Sequence, residues 1–242
     1  MDWRRTSARV GTSKEGDEEM AEAAEKKRTG KGAKHTLCRR IGQCIWGMPN
    51  CPTNSRTVKK ADGREDTSTP RAYPAGQHGP TKRRSKLSTY GELLLEKQKL
   101  KAFYDLTEHQ LRFIYQKAKS GEGTTGDKLI RNLEMRLAST VYRSGLAKTI
   151  WAARQLVSHR HVLVDGKIVD RASYRLKPGQ VISINAQRSP VICEIAKGND
   201  VIVPDYLQKD QEACKVTVAR EPLPEEIKVD VNIMKVIEFY AR

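Results

Sequence analysis

His35, Cys38, Cys44 and Cys51 place four soft or borderline ligands within seventeen residues, in the pattern His-x2-Cys-x5-Cys-x6-Cys. Zinc takes four nitrogen or sulfur ligands in a tetrahedron, and a closed site of that kind can stand in for a hydrophobic core. The surrounding segment needs such help. Pro49, Pro52, Pro70, Pro74, Gly76, Gly79 and Pro80 punctuate residues 31–90 and leave little to bury. Zinc is the one cofactor these residues suggest, with free thiols as the alternative. Cys193 and Cys214 lie far from the other three cysteines. Five is an odd number and no secretion signal accompanies them, so a disulfide framework is not expected.

No catalytic set assembles elsewhere. No P-loop and no Ser, His and Asp constellation stands out, and fewer than sixty residues follow Ile184, too few for a catalytic domain. The chain is not expected to be an enzyme.

The 242 residues allow one large domain or two small ones with real cores. Lys and Arg outnumber Asp and Glu by 45 to 29, a formal +16 that self-repels unless a polyanion neutralises it. No stretch approaches the ~20 apolar residues of a spanning helix and no signal-peptide core opens the chain, so a cytosolic protein with no membrane partner is expected. The charge is segregated. Residues 1–30 carry seven basic and seven acidic groups, 31–80 nine against three, 81–101 seven against two, and 128–177 eleven against three. The last fifty residues reverse the sign, seven against ten. Each Lys or Arg that meets a phosphate releases counterions, so blocks this lopsided predict tight, salt-dependent binding to nucleic acid. Solubility would not need them.

Residues 1–30 are polar and predict a disordered extension, with Met20 an alternative start. Leu93, Leu94, Lys97, Leu100 and Phe103 or Tyr104 recur at helical spacing over Tyr90–Tyr104. Thr107 and Gln110 stand at capping-box spacing before a second helix with Leu111, Ile114, Tyr115 and Ala118 inward. Gly121, Gly123 and Gly126 make a flexible break. A single third helix, with Leu129, Ile130, Leu133, Leu137 and Val141 inward, is expected to run on until Gly145 stops it. Thr149 caps a fourth, with Ala152, Ala153, Leu156 and Val157 inward. Asp165-Gly166 between β-branched runs predicts a hairpin, and Pro178-Gly179 turns the chain into Val181–Ile184. An acidic tail follows.

Residues 132–184 resemble the S-four-type RNA-binding module of ribosomal proteins, rRNA-modifying enzymes and tyrosyl-tRNA synthetases. The likeness rests on Arg136-Leu137, Val141-Tyr142-Arg143, Gly145-Leu146-Ala147, Ala152, Ala153, Gln155-Leu156-Val157, His159, His161-Val162, Val164-Asp165-Gly166, Val169 and Leu176-Lys177-Pro178-Gly179. Arg143, Lys148, Arg154, Arg160, Lys167, Arg171, Arg175 and Lys177 are then expected to reach phosphates and 2′-hydroxyls of a structured RNA. His159 and His161 at the helix-to-strand corner are expected to serve RNA or structural hydrogen bonds and not metal. Apart from Trp151 and Tyr174 the block has few aromatics, so shape and backbone recognition is expected over base stacking.

Further stretches are similar to small-subunit ribosomal proteins of the same family: Arg71-Ala-Tyr-Pro-Ala-Gly-Gln-His-Gly79, Ser88-Thr-Tyr-Gly91, Glu96-Lys-Gln-Lys-Leu100, and Val236–Arg242, which resembles a C-terminal strand. The resemblance covers roughly 31–242 and implies an α+β protein. Its N-terminal domain, 31–127, is loop-rich then helical and completed by about 220–242; its RNA-binding domain, 128–219, has the module at about 132–195. It implies that Gln77, His78, Lys82, Arg83, Arg84 and Lys86 form a backbone-binding loop, with Arg39, Arg40, Arg71, Lys97 and Arg136 completing the RNA contacts. Implied partners are the 5′ domain of small-subunit rRNA, neighbouring small-subunit proteins and mRNA where it enters the ribosome. Implied roles are early assembly and decoding accuracy. Some relatives carry a four-cysteine zinc site here, and others have lost it; Ser55 stands about where a fourth cysteine would, so Cys44 must serve. The leader before residue 31 and the insert at 57–69 match nothing. The rival readings are an rRNA-modifying enzyme with the same module, which would need a further catalytic domain, and a free-standing stress-related RNA-binding protein, which would lack the Gln77-His78 loop and the Glu-Phe-Tyr ending.

Overall fold

The computed structural model describes residues 35–48, 51–54, 56–59, 65–68, 71, 73–81, 87–120, 123–185, 188–199, 201–210, 212–227 and 229–242. The extension expected over 1–30 and the cations Lys82, Arg83, Arg84 and Lys86 lie outside them. Two units form: Met1–Cys44 with Pro49–Lys82, and Ile45–Met48 with Arg83–Arg242.

In the first unit, α1 (Thr36–Ile41) ends where Gly42 turns left-handed at φ 94° and returns its N–H to the Cys38 carbonyl at 2.7 Å. The insert at 57–69 forms most of a hairpin. β1 (Arg56–Lys59) runs antiparallel to β2 (Glu65–Ser68), with Arg56 opposite Ser68 and Lys59 opposite Glu65. Gly79 is dictated by close approach: a Cβ there would sit 2.0 Å from the Pro74 carbonyl oxygen.

The second unit is α+β. Ser88 caps α2 (Thr89–Phe103), its Oγ accepting the Gly91 N–H at 3.2 Å. The Thr107–Gln110 box forms in both directions, at 3.2 and 3.3 Å, and starts α3 (Glu108–Lys119). The third helix is not continuous as expected. α4 (Thr125–Glu134) ends at Met135, Arg136 takes an extended conformation, and α5 (Leu137–Arg143) starts afresh. The break is held by backbone bonds to a distant strand-like segment, Leu176 N–H to Met135 at 2.9 Å and Leu137 N–H to Tyr174 at 2.8 Å. Local apolar periodicity could not register that long-range competition for the helix's own bonds. Thr149 caps α6 (Ile150–Ser158) as expected.

The sheet is antiparallel, in the order β4 (Lys167–Ile168), β3 (Val162–Val164), β5 (Val181–Ile184), β7 (Lys215–Val218) and β6 (Leu207–Asp210). β3 (Val162–Val164) and β4 (Lys167–Ile168) join at Asp165 and Gly166, both left-handed at φ 49° and 77°, as a primed turn requires. The Asp165 carboxylate also accepts the Val181 N–H at 2.9 Å and the Gln180 amide at 2.8 Å, tying the turn to β5 (Val181–Ile184). Residues after Ile184 are more than an acidic tail: α7 (Pro190–Lys197), β6 (Leu207–Asp210) and β7 (Lys215–Val218) complete the sheet and its cover. Val216 and Val218 are fully buried. Only two inward positions mark so short a strand, too few to show a period in sequence.

The chain's end is a helix, α8 (Ile233–Ala241), and not the strand expected. Asn232 caps it, accepting the Lys235 N–H at 3.2 Å, and Ile233, Val236, Ile237 and Tyr240 form one helical stripe packed on the α2–α4 cluster. One buried cluster gathers Leu100, Leu111, Leu129, Leu133 and Val236; another gathers Leu137, Val141, Val162, Ile182 and Val216.

Glu134 joins the two clusters. It has no exposure to solvent, and its carboxylate accepts the Tyr104 hydroxyl at 2.6 Å, the Tyr206 hydroxyl at 3.2 Å and the Arg143 guanidinium at 2.8 Å. Arg143 also lies 5.2 Å from the Phe103 ring centre. Removing one partner of such a pair strands a buried charge. Glu134→Gln is expected to lower unfolding stability by about 3 kcal/mol in chemical denaturation. Burial, with the Glu134 charge adding to it, holds the Tyr104 and Tyr206 phenols well above their ordinary value, and burial beside Glu108 does the same for Tyr240. Because the folded values are raised, this stabilisation is complete below the unfolded pKa of about 10 and is lost as pH climbs beyond it. Alkaline titration followed by phenolate absorbance should show three of the eight tyrosines silent until the chain unfolds.

Candidate nucleic-acid interface

The cations expected to contact RNA divide by where their charges go. Four turn inward. Lys97 is buried, pairs with Glu108 at 2.9 Å and lies 4.2 Å from the Phe239 ring centre. Arg143 belongs to the Glu134 pair, with a side chain only 18% exposed. Arg154 pairs with Asp105 at 2.8 Å. Arg39, in the first unit, donates to the Pro74 carbonyl at 3.3 Å and stacks over Tyr73. Lys97 and Arg143 are thus corrected to structural cations, each committed to a pair within the protein: Arg143 to the fully buried Glu134, and the buried Lys97 to Glu108, whose side chain is 46% exposed. His161 is likewise anchored, its Nδ1 2.5 Å from the Ser189 Oγ. Burial, aided by Arg188 and His159, holds its imidazole below the ordinary value and neutral at physiological pH.

The others face solvent. Lys148, Lys167, Arg171, Arg175 and Lys177 are exposed and form no ion pair among the described residues; His159 is exposed beside them in sequence, and Arg160 makes an exposed pair with Asp170 at 3.2 Å. In the first unit, Arg40, Arg71, Gln77 and His78 are exposed. The aromatics noted in sequence are divided too: Trp151 packs on Trp46 with ring centres 4.7 Å apart, whereas Tyr174 is 39% exposed.

Arg136 fits neither class. Its residue is 8% exposed, yet its guanidinium makes no hydrogen bond or ion pair among the described residues. Burial and the nearby Arg154 charge lower its pKa to about 10, against a partial offset from Asp105. The side chain lines two adjoining clefts. One, of about 190 Å³, is bounded by Asp105, Arg154, Ser158 and Arg171. The other, of about 380 Å³, is bounded by α3 through Gln110, Phe113, Ile114 and Lys117, and by Asn132 and Arg175. Among the described residues Asp105 is the one carboxylate in either lining, so cations outnumber it there.

Lys117 and Phe113 were not anticipated. The signal was present: Gln110, Phe113 and Lys117 follow helical spacing on a face of α3 separate from Leu111, Tyr115 and Ala118, and Phe113 is 62% exposed. Glu134 was missed as well, although an acid within so basic a block, amid leucines, is a mark of internal pairing. The spacing Gly121-x-Gly123-x-x-Gly126 matches a dinucleotide-binding loop, but it joins two helices, so the strand-to-helix context that gives such a loop its phosphate site is missing.

In the first unit the ligand atoms of His35, Cys38 and Cys51 all lie within 4.8 Å of one another. Thiolates at zinc's bonding distance in a tetrahedron are about 3.8 Å apart, so the donors fit that ion with little movement. Burial pushes the Cys51 thiol up, but hydrogen bonds from Thr53, Cys44 and Cys38 outweigh it and bring it below the ordinary value. Cys44, expected as the fourth donor, neighbours Cys51 but is not a member of that cluster of three.

Residues 29–134 match the family described as the ribosomal protein S4/S9 N-terminal domain, and residues 135–182 match the S4 domain. The small ribosomal subunit protein uS4 of Bartonella bacilliformis is 42% identical over 217 residues, covering 87% of this chain and 97% of the relative. That of Bifidobacterium animalis subsp. lactis is 47% identical over 178 residues, 71% of this chain and 86% of its own. That of Roseobacter denitrificans is 40% identical over 217 residues. With likeness of that degree along most of its length, this chain belongs to the uS4 family of small ribosomal subunit proteins.

Proposed function

We propose that the chain is a structural component of the small ribosomal subunit in the cytoplasmic ribosome, binding small-subunit rRNA directly and catalysing no reaction. The observation that carries this reading is the pair of clefts around Arg136, where cations from α3, α6 and the segment before β5 converge with one carboxylate among them. A phosphate entering there would give the buried guanidinium the anion it lacks, a charge-assisted and bidentate contact. Lys148, Lys167, Arg171, Arg175 and Lys177 extend the footprint over the surface, and Arg154, paired to Asp105 yet 42% exposed, can share a phosphate at its edge. In the first unit, Arg40, Arg71, Gln77 and His78 would form a second set of backbone contacts. Residues 128–219 act as the RNA-binding domain, a reading the buried cluster from Met135 to Val218 supports. The packing of α8 on α2 supports completion of the N-terminal domain by the chain's end. We further propose, on the family resemblance, that the rRNA contacted lies in the 5′ domain, that binding is early in assembly, and that the protein borders incoming mRNA beside neighbouring ribosomal proteins and affects decoding accuracy.

His35, Cys38, Cys44 and Cys51 would hold one zinc ion. Bound there, zinc would cross-link α1 to the turn at Cys51 and act as a core for a unit with few apolar residues.

Arg171→Ala with Arg175→Ala should leave the melting temperature unchanged, weaken rRNA binding, and reduce the salt slope of log K by about two. An unchanged slope removes both from the contact set. Elemental analysis of protein purified without chelator should find about one zinc per chain, and Cys51→Ser should abolish it. Metal content that is nil in the unmodified protein assigns the three cysteines to free thiols.

A further inference from the structure

The larger cleft beside Arg136 differs from a phosphate site in one respect: its lining includes an aromatic and an aliphatic side chain. Phe113 and Ile114 project from adjacent positions on α3, and Phe113 is 62% exposed although large aromatic rings ordinarily seek burial. Gln110, Asn132 and Ser173 add amide and hydroxyl groups to the lining, while Lys117, Arg136 and Arg175 supply cations; no carboxylate lines it among the described residues. At about 380 Å³ the space lies within the range of small-ligand sites. A flat, π-faced group with hydrogen-bonding edges, attached to an anion, meets every part of this lining. A plain duplex backbone would leave Phe113 facing sugar and water. A protein partner's acidic side chain would meet the cations but leave Phe113 without a flat partner.

We propose that this cleft receives a single unpaired nucleotide extruded from the folded rRNA, its base stacked on Phe113 and its phosphate on Arg136. The inference rests on the rRNA-binding reading above and adds base stacking to recognition otherwise by shape and charge. Stacking on an aromatic tolerates any base, since each has a π face, and its removal costs a measurable fraction of affinity. Gln110 and Asn132 would bias the choice of base through its edge.

The test uses the full chain, full-length small-subunit rRNA, and the variants Phe113→Ala and Phe113→Trp. Because Phe113 is exposed, neither change should alter the melting temperature. Filter binding should show Phe113→Ala weakened about tenfold and Phe113→Trp close to unmodified affinity. Chemical probing of all four base types should reveal one unpaired base that the unmodified protein and Phe113→Trp protect and that Phe113→Ala leaves reactive. Unmodified affinity and footprint in Phe113→Ala would overturn the proposal, as would weaker binding with no base changing reactivity, which assigns Phe113 to sugar or protein contact. Failure of the unmodified chain to bind rRNA at all would instead defeat the underlying function.

Discussion

A carboxylate that water cannot reach organises the larger unit. Glu134 ends α4, and its partners come from three other places: Tyr104 at the end of α2, Arg143 at the end of α5 and Tyr206 before β6. A lone buried carboxylate would be untenable, so each partner must arrive for the others to stay. The geometry thereby couples the helical cluster to the sheet cluster beside the break at Met135–Arg136, which the backbone bonds to Tyr174 and Leu176 hold. That break aims Arg136 into the clefts. Directional bonds to a charge specify this arrangement in a way that leucine packing alone would not.

The same pairing sorts the cations. With 45 basic residues against 29 acidic, some acids are available for pairs within the protein: the buried Glu134 takes Arg143, and Glu108 at the surface takes the buried Lys97. What remains unpaired is the outward set around the clefts and along the hairpin side of the sheet. A protein built to meet a polyanion needs such a remainder, and the remainder is made visible only after the internal pairs are subtracted. Charge density along the chain cannot do that subtraction.

The first unit follows a different physical rule. It has little apolar material, and among its described residues the buried ones include Cys38, Cys51, Thr53 and Gly79. Its shape depends on backbone constraint at Gly42 and Gly79 and on the clustering of His35, Cys38 and Cys51. Two strategies thus coexist in one chain, a buried ion pair with tyrosines in one unit and converging soft ligands in the other. Each compensates for surfaces too rich in charge or in proline to be held by burial alone.

By itself the sequence determined the features governed by neighbours a few residues apart: the Thr107–Gln110 box, the caps at Ser88 and Thr149, the Asp165-Gly166 turn, the strand at Val181–Ile184 and the grouping of His35 with Cys38. It also determined the family, through motifs whose order along the chain is itself the signal. Tertiary structure alone decided which charges face outward, where the long third helix breaks, that the end of the chain coils into a helix, and that Phe113 lies open at the edge of a basic cleft. Those outcomes depend on partners distant in sequence, such as Tyr174 for Leu137 and Tyr206 for Glu134. A backbone bond or ion pair across such a span outweighs local preference only once the fold has brought both ends together, so no local pattern carries its trace.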